Sequence, residues 1–242
     1  GAGGLAKVTT VSGGAADGEL TLTLDGTTIE SVVLGDGGDD LTIDDALDAN
    51  AEVSTGDGND DVTINAMVDS GTVNTGAGAD DIVLDVSLAA DETIDGGAGS
   101  NDEITLNATV NLGAVTGVEI VNIQAAATVD FDNFTGVTDV NILTTGAVVV
   151  DKLVTSEVDT IADADLTIQD MASGSVATFD AAGSLTIASS DTGLTDIVAD
   201  LNTGILTINA ASTSAAVTDV TVTSSGNISL SLIHISEPTR PI

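Results

Sequence analysis

Short apolar-x-apolar triplets punctuate the chain at nearly constant spacing. They are Leu22-Thr23-Leu24, Leu41-Thr42-Ile43, Val62-Thr63-Ile64, Ile82-Val83-Leu84 and Ile104-Thr105-Leu106, followed by Val121-Asn122-Ile123, Val140-Asn141-Ile142, Leu166-Thr167-Ile168, Leu185-Thr186-Ile187 and Leu206-Thr207-Ile208. Their first residues lie 19, 21, 20, 22, 17, 19, 26, 19 and 21 positions apart. Alternation of this kind is the period of a strand with one buried face. No segment carries the 3.6-residue stripe of an amphipathic helix, so the chain reads as nearly all β. A repeat of about 20 residues marks stacked coils, and equivalent strands that run the same way pair in parallel. The expectation is a right-handed parallel β-solenoid (β-helix or β-roll) of about ten coils with about 20 residues per coil. It would run through residues 1–229 as a single domain, with one outsized coil between Val140 and Leu166.

A second strand per coil is predicted at Ala51-Glu52-Val53-Ser54, Gly71-Thr72-Val73-Asn74 and Glu92-Thr93-Ile94-Asp95. Turn residues separate the two strands at Asp48-Ala49-Asn50, Asp69-Ser70 and Ala90-Asp91. Just before four of the triplets stands a glycine-acid turn. Gly35-Asp36-Gly37-Gly38-Asp39-Asp40 is echoed by Gly56-Asp57-Gly58-Asn59-Asp60-Asp61 and Gly76-Ala77-Gly78-Ala79-Asp80-Asp81, then more loosely by Gly97-Ala98-Gly99-Ser100-Asn101-Asp102-Glu103. Glycines permit positive φ and close backbone approach. Carboxylates at the end of such a turn supply hard anionic oxygen, the donor type that Ca²⁺ takes in sets of six to eight.

These turns resemble the Gly-Gly-x-Gly-x-Asp-x-apolar-x repeats of RTX (repeats-in-toxin) proteins, which form calcium-binding β-rolls. A Gly-Gly pair heads only the fourth copy, at Gly96-Gly97, and the period is near 20 rather than two nonapeptides. The resemblance therefore implies calcium at one of the two turns of each coil, across residues 35–104. Candidate calcium positions are Gly35, Gly37, Asp39 and Asp40; Gly56, Gly58, Asp60 and Asp61; Gly76, Gly78, Asp80 and Asp81; and Gly97, Gly99, Asp102 and Glu103. Asp39, Asp60, Asp80 and Asp102 are the first-choice side-chain ligands. Asp40, Asp61, Asp81 and Glu103 are either further ligands or outward, solvated strand residues. Asp36 and Asp57 read as exposed turn acids. Asp57 to Asp61 has the outline of an EF-hand loop, but Val62 stands where that loop needs glycine and Val68 where it needs glutamate.

Composition narrows the function. The 242 residues include 39 acidic and three basic ones, for a formal charge of −36, and no cysteine. Binding to nucleic acid or to an anionic membrane surface rests on Lys and Arg, so both are disfavoured, and no run is apolar enough to insert into a bilayer. Aromatic residues make up 1% of the chain while 42% is apolar, which suits the thin aliphatic core of a solenoid. Residues 1–107 hold 23 of the 39 acids, so residues 105–229 read as coils without acidic turns. Coils stack at about 4.8 Å. Like charges at that separation repel by about 3.5 kcal/mol at an effective dielectric near 20, so a carboxylate column calls for a divalent cation and for metal-linked folding.

Taken with the resemblance, this implies an extracellular or cell-surface bacterial protein of surface-layer or adhesin type that folds on calcium after export. Its partners would be calcium ions and either copies of itself in a surface lattice or cell-surface polysaccharide. The rival is a fragment of a β-helix polysaccharide-processing enzyme. Lyases of that kind commonly combine calcium with a basic residue, and this chain offers Lys7, at its start, and Lys152, where an ion pair with Asp151 is the simpler reading. Cys and a dependable His are missing for nucleophilic or zinc chemistry, so an enzyme is not expected. Phe131, Phe134, Phe179, Met67 and Met171 read as core. The start, Gly1-Ala2-Gly3-Gly4, has no Met and reads as the interior of a longer protein. Residues 230–242, Leu-Ser-Leu-Ile-His-Ile-Ser-Glu-Pro-Thr-Arg-Pro-Ile, resemble a translated sequencing adapter and are expected to be non-native.

Overall fold

The structure is a computed structural model. It describes residues 9–24, 29–44, 47–66, 70–108, 113–125, 128–152, 157–160, 165–169, 176–181, 184–188, 196–201, 205–208, 219–224 and 229–232. Every element among them is a strand and every pairing is parallel, giving a β-solenoid with coils roughly 20 residues apart. Two compact units are formed, Gly1–Ala125 with Asn133–Thr138, and Ala126–Asp132 with Asp139–Ile242.

In the first unit the triplets form one sheet: Thr21–Leu24, Asp40–Ile43, Asp61–Ile64, Asp81–Leu84, Glu103–Leu106 and Ile120–Ile123. Registers Leu22↔Leu41↔Val62↔Ile82↔Ile104↔Val121 reproduce the predicted line. A second sheet stacks Thr10–Ser12, Ile29–Val33, Leu47–Ser54, Thr72–Asn74, Thr93–Asp95, Ala114–Thr116 and Phe134–Thr135. The period of two puts Leu41, Ile43, Val62, Ile64, Ile82, Leu84, Ile104 and Leu106 inside, none more than 1% exposed. From the second sheet Val32, Val53, Val73, Ile94 and Val115 meet them, none above 2%. Phe131 and Phe134 are buried as expected. The strand Leu47–Ser54 runs through the predicted turn Asp48-Ala49-Asn50, and Asn50 takes the bend at φ 63°. A bend also falls at Ser70, φ 71°, and a turn at Ala90-Asp91.

In the second unit the succession of triplets is corrected. Val140 pairs with Val158 and Val158 with Phe179, whereas Leu166 pairs with Val148 and then continues to Leu185 and Leu206. Leu166 is thus not the successor of Val140, and the outsized coil disappears: Val140↔Val158 and Val148↔Leu166 are both ordinary steps. The reason is physical. On the Val140 face the next strand reads Val158-Asp159-Thr160 and lacks the second apolar residue, whereas the other sheet carries Val148-Val149-Val150 and Leu166-Thr167-Ile168, so the apolar triplet passes from one face of the coil to the other. The strand Ser229–Leu232, which enters the segment read as a translated adapter, pairs with Ile205–Ile208. Lys7, Met67, Val68, Asp69 and Met171 lie outside the described residues, as do residues 233–242 and the side chain of Phe179.

Candidate functional site: a column of buried carboxylates

The glycine turns of the first unit stack directly on one another. Asp57 bridges Ala77 in parallel, and Ala77–Gly78 pairs with Ala98–Gly99. Gly76 shows why these positions are glycine. Its φ is 99°, and a Cβ there would stand 1.6 Å from the Gly56 carbonyl oxygen of the coil before. Gly35, Gly37, Gly56, Gly58, Gly78, Gly97 and Gly99 meet the adjacent turn's backbone in the same way. Some of the carbonyls are already engaged: Gly56 O accepts from Ala77 N at 3.1 Å and Gly76 O from Ala98 N at 2.6 Å.

The acid pair at the end of each turn is split between inside and outside. Asp39, Asp60, Asp80 and Asp102 are 2%, 0%, 1% and 0% exposed. Each turns one oxygen back to the preceding coil. Asp39 Oδ1 accepts from Leu20 N at 2.9 Å, Asp60 Oδ1 from Asp39 N at 2.8 Å, Asp80 Oδ1 from Asp60 N at 2.9 Å and Asp102 Oδ1 from Asp80 N at 2.9 Å. The other oxygen, Oδ2, is buried without a hydrogen-bond partner in all four. Buried polar atoms are nearly always partnered, and buried charge is costly unless paired. No Lys, Arg or His occurs between Lys7 and Lys152 to pair with this column.

Burial pushes the Asp60 carboxyl above its ordinary value, and the charges of Asp80 and Asp39 add to the shift. The nearby Thr55 hydroxyl and the Asp39 N–H oppose it, although the Thr55 proton is spent on the Thr75 carbonyl at 2.9 Å. Asp102 is raised by burial first, against the Asp80 N–H, with the charges of Asp80, Glu119 and Asp95 adding to the rise.

The second acids form a separate, outward ladder. Asp40↔Asp61↔Asp81↔Glu103 are in direct register, the aspartates exposed and Glu103 half-buried. They line a shallow trough with Thr63, Val83 and Thr105. Burial, then Asp61 and Asp80, raise Asp81. Burial and then Asp81 raise Glu103, opposed by a hydrogen bond from Asn122. Asp36 and Asp57 are exposed, as read from the sequence.

The sequence reading did not single out two features. Thr55 and Thr75 are buried and tie successive coils through Thr55 Oγ1 to Thr75 O and Thr75 Oγ1 to Gly96 O, both 2.9 Å. Glu119, in a turn read as lacking this chemistry, adds a carboxylate to the same column: Glu119 Oε2 accepts from Asp102 N at 3.0 Å. The signal was its place immediately before the Ile120-Val121 strand. Elsewhere, Lys152 pairs with Asp130 at 3.6 Å and closely with Asp132, rather than with its neighbour Asp151 alone.

Among the described residues no three His, Cys, Asp or Glu side chains converge on one point. A cation held at the column would therefore draw on one or two carboxylates, with backbone carbonyls and water completing its shell, a donor set that suits Ca²⁺. The buried unpartnered Oδ2 atoms fit such an ion. The fold and site define a parallel β-solenoid with an internal carboxylate column. Neither protein-family models, nor curated proteins, nor solved structures give a match to the chain.

Proposed function

We propose that residues 35–104 are a calcium-binding repeat region whose folding is linked to the metal, within a secreted or cell-surface protein of structural rather than catalytic role. One observation carries this reading. Asp39, Asp60, Asp80 and Asp102 bury four stacked carboxylates with one oxygen each unpartnered, in a stretch without a single cationic side chain. A metal-free column must either stay partly protonated or tolerate unpaired buried charge, and both penalise the folded chain at neutral pH. Calcium removes that penalty using all-oxygen donors. The resemblance of the glycine turns to RTX repeats supports the same ion.

Extracellular calcium modules bind at about 10⁻⁴–10⁻³ M, so the chain would be unliganded in a cytosol and loaded outside. Surface-layer lattice and adhesin stalk are two settings in which a charged, calcium-locked stack of coils is useful. Thermal unfolding of the full chain followed by far-ultraviolet circular dichroism, in millimolar calcium and in chelator, tests the proposal. The expected result is a large rise in melting temperature with calcium and little with magnesium. Superimposable melts in calcium and chelator would overturn it.

A further inference from the structure

The carboxylate column continues past the last Gly-x-Gly turn. Glu103 pairs with Ile120, so Glu119 stands at the position of Asp102. Its Oε2 meets the Asp102 N–H at 3.0 Å, the contact that each aspartate Oδ1 makes to the coil before it. The register explains the change of residue type. Between the paired strands Asp95/Thr116 and Glu103/Ile120, one coil spends residues 96–102 on the connection and the next only residues 117–119. The shorter connection needs a longer side chain to bring an oxygen to the same place, and glutamate supplies one more methylene than aspartate. Gly117 keeps the left-handed bend, at φ 63°.

The column also has defined ends. Thr21 pairs with Asp40, so Leu20 occupies the position before Asp39 and brings only its N–H. Beyond Glu119, Thr138 donates its N–H to the Glu119 carbonyl at 2.8 Å and adds no charge. Five stacked carboxylates therefore lie between two uncharged residues. The last interval, Asp102 to Glu119, keeps one condition of the others, with Glu119 itself only half-buried. The Asp102 Oδ2 is buried without a partner, and the Glu119 charge is close enough to bear on it.

Resting on the calcium reading above, we infer that Glu119 is the terminal ligand of the column and that a divalent cation sits between Asp102 and Glu119, at a turn lacking the repeat motif. Equilibrium dialysis of the full chain against calcium counts the bound ions in wild type, Glu119→Gln and Asp60→Asn. Glutamine keeps an oxygen for the Asp102 N–H and removes only the charge. The expected result is one ion fewer in Glu119→Gln, with a melting temperature in chelator no lower than that of wild type, because a charge that opposes Asp102 is removed. Glu119→Asp keeps the charge but shortens the reach, and it is expected to lose the same ion. If either Glu119 variant binds the full wild-type number while Asp60→Asn loses calcium, Glu119 is only a capping acceptor; the inference fails and the calcium reading stands. If the wild-type chain binds no calcium, both fail together.

Discussion

The backbone N–H of Asp60 donates to Oδ1 of Asp80, 2.9 Å away and 20 residues further along the chain. A side chain thus continues the inter-coil ladder at the point where the strand begins, and it commits the partner oxygen, Oδ2, to the interior. The structural and the proposed metal-binding roles of the aspartates are carried by different atoms of one carboxylate. Substitutions can separate them.

Asp60→Asn retains an oxygen for the Asp39 N–H and deletes the charge, whereas Asp60→Ala leaves that buried N–H unpaired. In chelator the alanine variant is expected to lose about 1–3 kcal/mol, the cost of a buried unsatisfied group, while the asparagine variant holds or gains stability. Calcium should stabilise both less than it does wild type. Urea unfolding with and without calcium measures all of these, and an asparagine variant with full calcium response would contradict the assignment of Oδ2.

The metal-free chain is expected to show an unusual pH dependence. Burial raises the carboxyls of Asp60 and Asp102 above their ordinary 3.8. A folded-state value above the unfolded one means that protonation stabilises the fold; that stability is complete below the unfolded value and is lost as pH rises through the folded one. In chelator, the melting temperature should therefore fall as pH is raised from 3.8 toward neutrality. With calcium the trend should reverse, because the metal needs deprotonated ligands. Melting curves across that range in both conditions decide it, and a metal-free chain that steadily gains stability with pH would refute the picture of a buried, unpaired column.

Gly76→Ala tests the stacking of the turns. The substitution places a methyl at φ 99° and 1.6 Å from the Gly56 oxygen. Positive φ alone costs about 1–3 kcal/mol, and the clash adds to it. Thermal unfolding should show a loss that calcium does not restore, because the two coils can no longer approach. The control Asp57→Asn changes only an exposed side chain and should be close to neutral.

The outward ladder predicts a gain. Asp61 stands in register between Asp40 and Asp81, three like charges in adjacent strands. Asp61→Lys replaces two repulsions with two exposed ion pairs, each worth about 0.2–1 kcal/mol. Stability in chelator should rise and the gain should shrink as salt is added, by screening. If the lysine instead abolishes calcium binding, the outward acids belong to the site after all.

Much of the fold and part of the site were legible in the residues. Alternation at Leu41/Ile43, Val62/Ile64, Ile82/Leu84 and Ile104/Leu106 identified the core strands of the first unit, and the constant period identified parallel stacking, because both are local consequences of strand geometry repeated along the chain. The recurrence of glycine and paired acids likewise located the turns. What only the tertiary structure decided is what each residue meets once coils lie on one another. That Asp39 turns inward and Asp40 outward extends the alternation of Leu41 and Ile43, but only the stacking of the turns shows that one Asp39 oxygen takes the Leu20 N–H while the other is left without a partner. The pairing of Leu166 with Val148 rather than with the line of Val140 was hidden because the strand that does succeed Val140, Glu157–Thr160, carries one apolar residue and so breaks the triplet pattern. The place of Glu119 in the column came from register alone, since a shortened connection and a longer side chain leave the same oxygen in the same position while erasing the motif that announced it elsewhere.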